Sequence, residues 1–210
     1  MNRATRITAS VFGLFAGIGG IEHGYFEIQQ GNAKPDSLMI ASMGPPCEAE
    51  AVWHGCEPAM TVLPNFFITG VLAVILGVIT MVWSLFFVQR KHGGLILILL
   101  STLLLLFGGG IFPPLIGIIG GWVGTRIHTS TSWWRKTLTG KPLRFFAMLW
   151  PWTIILYFVL LFGQFVIGAL FNDFLMQNGI LILVLIPLLL VLVVISAFAK
   201  DVVVLEIEAV

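Results

Sequence analysis

Charge is what this sequence has least of. Asp, Glu, Lys and Arg together make up 10% of its 210 residues, where soluble domains carry roughly a quarter. A chain that is 58% hydrophobic, with a mean hydropathy of +1.02, cannot cover its own surface in water, so lipid must be the solvent for much of it. Cysteine is scarcer still: Cys47 and Cys56 are the two present, too few and too far apart for a CxxC redox pair or a four-cysteine metal centre. There is no phosphate-binding Gly-rich loop with its Lys, no Gly-x-Ser-x-Gly and no His-Glu-x-x-His. These gaps remove the signatures of a soluble catalytic domain and imply no cofactor. The centres of the apolar runs lack Lys, Arg and Asp, which pumps and voltage sensors place there. A formal net charge of +1 gives no electrostatic footprint for nucleic acid.

What the sequence has in abundance is long apolar runs. About 20 apolar residues cross the hydrocarbon core as a helix, and residues 7–26, 63–88, 145–171 and 179–199 each satisfy that. Arg3 and Arg6 ahead of the first run resemble the start of a signal peptide. No Ala-x-Ala site follows, however, and the run ends in Gly19-Gly20-Ile21-Glu22-His23, so a retained first helix is expected. The stretch 94–125 is too long for one span and barely long enough for two. Its centre reads Gly108-Gly109-Gly110-Ile111-Phe112-Pro113-Pro114. Glycines weaken a helix and prolines cannot continue one, but proline suits a first helical turn. The expectation is a hairpin of two short helices, 94–107 and 113–125, each on the order of 20 Å long, either re-entrant or crossing a thinned bilayer.

The basic residues test that reading, because Lys and Arg concentrate in cytoplasmic loops. Arg3 and Arg6 place the N-terminus inside. The loop 27–63, with Asp36, Glu48, Glu50 and Glu57 against Lys34, then lies outside, and Arg90 and Lys91 inside. If 94–125 enters and returns, the densest basic cluster, Arg126, Arg135, Lys136, Lys141 and Arg144, is inside as well. Residues 172–178 follow outside, and Lys200 and the C-terminus inside. The fold expected is therefore an all-α membrane bundle, 1–210 as a single transmembrane domain, with four full spans, a broken hairpin and both termini cytoplasmic. Within the loop 126–144, Trp133, Trp134, Arg135 and Lys136 are the residue types that lie at the headgroup level. Trp150-Pro151-Trp152 is expected one or two turns inside the next helix, where the proline would kink it.

Glycine forms two stripes. Gly13, Gly17, Gly20 and Gly24 recur at spacings of four, three and four, and Gly117, Gly120, Gly121 and Gly124 line one face of the second hairpin arm. Small residues let membrane helices approach closely, so both stripes should be packing seams.

Few polar positions remain on which chemistry can rest. His23 and Glu27 stand four apart on the flank of the first glycine stripe and can meet, whereas Glu22 points the opposite way. Such a pair can share a proton or supply two ligands of a metal ion, with His54, Cys47, Cys56 and Glu57 on the same side to complete a site. The bland alternative is an end-of-helix cluster that hydrogen-bonds the loop. Cys47 and Cys56 would close a short loop as a disulfide. Gln164, deep in 145–171, joins Glu22, His23 and Glu27 as a candidate polar position: its neutral amide can line a pore or, the more common use, bridge helices by a hydrogen bond. Three functions fit: a small-solute or ion passage using the hairpin tip and the His23–Glu27 face; a non-catalytic subunit of a larger membrane assembly, whose partners are the bilayer and other subunits or a second copy; and a membrane-embedded metal-dependent enzyme.

Overall fold

The runs of leucine, isoleucine and valine fold as helices because a backbone in hydrocarbon must satisfy its own polar groups. The computed structural model describes residues 1–42, 53, 56–129, 132–137 and 139–208; for 132, 133, 135, 207 and 208 only the backbone is described. Along the chain come α1 (Arg3–Gln29), β1 (Met39–Ala41), β2 (Pro58–Met60), α2 (Phe66–Phe86), α3 (Gly93–Leu106), α4 (Phe112–Gly124), α5 (Ser132–Thr137), α6 (Gly140–Leu170) and α7 (Asn172–Glu208). Four of these, α1, α2, α6 and α7, are long and apolar enough to cross a membrane, and α3 and α4 are shorter apolar helices.

The helices outrun the apolar runs at several ends. α6 starts at Gly140, whose φ of 64° lies in the left-handed region, so Pro151 sits about three turns inside it rather than one or two. Residues 172–178, expected as a loop, are already the first turns of α7. The same helix runs past 199 to Glu208 and carries Asp201 within it. Polar ends do not stop a helix that still has packing partners.

The chain divides into two compact units. The first combines residues 1–8, 50–54 and 126–210. Here α6 and α7 pack side by side, with Leu143, Ala147, Ala199 and Val202 buried between them and Trp134 and Phe146 against that core. Thr153 and Ser196 share a hydrogen bond of 2.9 Å, and the Trp134 ring of α5 stacks on Phe198 at 4.9 Å. The start of α1 is held by a residue almost two hundred positions away. Asp201 Oδ1 accepts from the Ala4 amide, and its Oδ2 accepts from the Thr5 amide and hydroxyl, at 2.8, 2.8 and 2.6 Å. A carboxylate on the free amides of a helix N-terminus satisfies orphan donors and the helix dipole together. The Asn2 amide group donates to the Arg126 carbonyl at 2.8 Å, tying the chain start to the segment after α4. Trp53 packs its indole on Gly168 and Gly179, and its amide donates to Asn172 Oδ1 at 2.8 Å.

The second unit combines residues 9–49 and 55–125. Glycines set its packing. A methyl group at Gly17 would stand 2.6 Å from the Gly77 carbonyl oxygen, and one at Gly24 the same distance from the Gly70 carbonyl oxygen. The reciprocal holds: methyl groups at Gly70 and Gly77 would meet the Gly24 and Gly17 carbonyls. α1 and α2 thus touch backbone to backbone. Gly13 and Gly20 face Leu97 and Leu104 of α3. On α4, Gly120 faces Phe12 of α1, Gly121 faces Ile98 of α3, Gly117 meets Ser101 and Ala16, and Gly124 meets Gly94 and Val88. The two stripes therefore work mostly against different partners, and the first needs Gly70 and Gly77, which form no tight stripe of their own. α1 is the most enclosed of the long helices, 61% of its apolar window being buried against 28% in each of the others. The α1 glycines face other helices of the protein, where small residues permit close approach.

Candidate functional site

The turn between α3 and α4 reads Phe107-Gly108-Gly109-Gly110-Ile111. Gly108 and Gly110 adopt φ of 86° and 81°, a region closed to most side chains. Pro113 and Pro114 occupy the first turn of α4, where the missing amide is harmless. The turn is stitched to the chain leaving β2. The Gly108 amide donates to the Met60 carbonyl at 2.8 Å, the Val62 amide to the Leu106 carbonyl at 3.1 Å, and Thr61 bridges Phe107. Thr61 is fixed in turn by hydroxyl contact with Thr69 of α2.

The hairpin tip and the polar end of α1 meet here. The Gly108 backbone lies directly against the Glu27 carboxyl group, and a methyl group at Gly110 would stand 2.5 Å from His23 Nε2. Gly19, one turn before His23 on α1, is in contact with Pro113. Larger residues at 108 or 110 would push the two side chains apart, so the glycines serve this junction as well as the turn.

His23 is 4% exposed and bonded at both ring nitrogens. Nδ1 lies 2.7 Å from the Ser42 hydroxyl and Nε2 lies 3.2 Å from Glu57 Oε2. Ser42 is placed by strand pairing. β1 and β2 run antiparallel, and just beyond them the Ser42 amide donates to the Glu57 carbonyl at 3.1 Å. Gln30, following α1, donates to the Ser42 carbonyl at 2.7 Å. Every member of the cluster is thus anchored through the backbone.

Glu27 is the exception. It is fully buried, and among the described residues neither carboxyl oxygen has a hydrogen-bond partner. The Ser42 hydroxyl is beside it, but its 2.7 Å contact is with His23. A buried carboxyl group without a partner is expensive, and such groups in membrane helices concentrate where proteins handle ions or protons.

Other positions singled out in the sequence lie elsewhere. Glu22 is exposed, as the helical wheel requires. Gln164 is 5% exposed within α6 and belongs to the first unit. Cys47 and His54, and with them the expected disulfide and the third metal ligand, lie outside the described residues; Cys56 occupies a turn just before Glu57. Among the described residues no three His, Cys, Asp or Glu side chains gather closely enough to hold a metal ion. Trp134 is half-buried on Phe198 while Lys136 is exposed; the side chains of Trp133 and Arg135 lie outside the described residues.

Sequence reasoning did not find Ser42. A serine in a polar loop carries no signal until strand pairing sets it beside the ring. The Asp201 contact was hidden likewise, since nothing in the sequence links residue 201 to residues 4 and 5. Comparison with protein-family models, curated proteins and solved structures finds no match, so the reading of this chain rests on its own geometry.

Proposed function

We propose that this chain is a gated passage for protons or small cations in a membrane, with Glu27 at the hairpin tip as its working group. The observation that carries the reading is the Glu27 carboxyl group, fully buried and, among the described residues, unpartnered against the Gly108 turn. Transporters place broken helices, whose free backbone groups face the cargo, at their substrate and ion sites. The tip is packed, Gly109 being in contact with Leu104 and Gly110 with His23. That argues against a standing pore and for a passage opened when the α3–α4 turn leaves α1. The orientation that goes with this reading has both termini and the basic segment 126–144 cytoplasmic, the Trp133–Lys136 stretch at the headgroups, residues 27–63 outside, and Cys47 bridged to Cys56.

Purified protein in proteoliposomes tests it. A proton or alkali-cation gradient should collapse faster than in empty vesicles, and Glu27→Gln should return the rate to the empty-vesicle level. Equal rates for the parent protein and empty vesicles would remove the reading. The packed tip also favours a second one, a non-catalytic subunit of a larger membrane assembly. Gentle purification that brings the same partners each time, with no flux in the isolated chain, would select it.

A further inference from the structure

The cluster around Glu27 has an order, and the order suggests a route. Exposure rises stepwise along it: Glu27 and Ser42 are fully buried, His23 is 4% exposed and the Glu57 side chain 17%. Each neighbour is within reach of the next. Glu57 Oε2 is 3.2 Å from His23 Nε2, His23 Nδ1 is 2.7 Å from the Ser42 hydroxyl, and that hydroxyl adjoins the Glu27 carboxyl group. Among the described residues, the hairpin tip, both strands, α2, α3 and α4 contain no other ionisable group. On α1 itself the nearby Glu22 is exposed.

Resting on the proposed passage function, we infer that Glu57, His23 and Ser42 form the proton path between Glu27 and the aqueous side of the 30–65 segment. A proton on the Glu57 carboxyl group passes to His23 Nε2. The imidazole releases its Nδ1 proton to the Ser42 oxygen, and the Ser42 hydroxyl proton passes to a Glu27 oxygen. One proton has then moved from Glu57 to Glu27, the ring has exchanged tautomers, and Ser42 is again a hydroxyl. An imidazole suits the middle position because it accepts at one nitrogen while donating at the other. A hydroxyl suits the next because a small rotation redirects its single proton from the ring to the carboxyl group.

The test uses the full chain in proteoliposomes enclosing a pH-sensitive dye. Ser42→Ala, His23→Gln and Glu57→Gln should each slow proton entry by about 100-fold, the usual weight of a positioned proton-transfer group, while Ser42→Thr, which keeps the hydroxyl, should conduct. If those three variants conduct at the parent rate while Glu27→Gln does not, the path is wrong and the passage reading stands. A parent protein that moves alkali cations but no protons also overturns the path, and one that collapses neither gradient overturns the passage reading instead. A second readout is independent of flux: the balance of the two His23 ring tautomers, read from the ring nitrogens by NMR. Glu27→Gln should change that balance, and the effect should vanish in a Ser42→Ala background. A shift of equal size without the hydroxyl would reflect the field of Glu27 alone and would overturn the path.

Discussion

Glu27 and His23 differ in what holds them, and the difference sets what substitution should do. His23 carries two contacts from a nearly buried ring. Removing it leaves Ser42 and Glu57 short of a partner, and His23→Ala should lower stability by about 2–3 kcal/mol, read by unfolding in mixed detergent micelles. Glu27 has the Ser42 hydroxyl beside it and no other polar partner among the described residues. Glu27→Gln keeps its shape and should stay within about 1 kcal/mol of the parent, so its effect on flux would not be a folding effect. Gly110 is a third case. Its φ of 81° and its contact with the His23 ring both oppose a side chain, so Gly110→Ala should weaken the fold by about 1–3 kcal/mol. A variant as stable as the parent would mean that the turn can move off α1 at little cost. The sequence supplied the His23–Glu27 pair through helical spacing. It could not supply Ser42, whose place depends on strand register.

Between elements, backbone contact and helix capping do most of the work. Gly17 of α1 and Gly77 of α2 leave no room for a methyl group. Gly17→Ala should therefore separate the helices and destabilise the protein by about 1–3 kcal/mol, read as a lower thermal midpoint in detergent. The same change at Gly163, which has open space around it, should stabilise or leave the midpoint alone. Asp201 is the cap of α1, accepting from two amides and a hydroxyl. Asp201→Ala should cost about 2–4 kcal/mol through the lost charged hydrogen bonds and the exposed helix end. Asp201→Asn, which keeps one acceptor, should cost less. Equal midpoints for the parent and Asp201→Ala would show that α1 begins without its cap.

At the scale of the molecule the apolar faces follow the solvent. α2 exposes Phe67, Ile68, Ile75, Val78, Ile79 and Val82 along its length, as a helix bathed in lipid does. The orientation proposed above rests on charge rather than packing. A cysteine placed at Thr139, between the exposed Lys136 and Lys141, should resist an impermeant reagent on intact cells and react once the membrane is opened. Labelling from outside would reverse the orientation and move the Glu57 end of the path to the cytoplasmic side.

Composition and periodicity alone determined that this chain is helical with runs long and apolar enough to cross a membrane, that 94–125 breaks at its glycines and prolines, and that His23 and Glu27 share a face. Those properties are local: hydropathy, helix geometry and proline's missing amide act within a few residues of one another. Which surfaces meet is a different matter. The approach of Gly108 and Gly110 to Glu27 and His23, the insertion of Ser42, and the capping of α1 by Asp201 each join positions far apart in the chain. A contact of that kind is fixed by the packing of whole elements, and no pattern within one stretch of sequence encodes it.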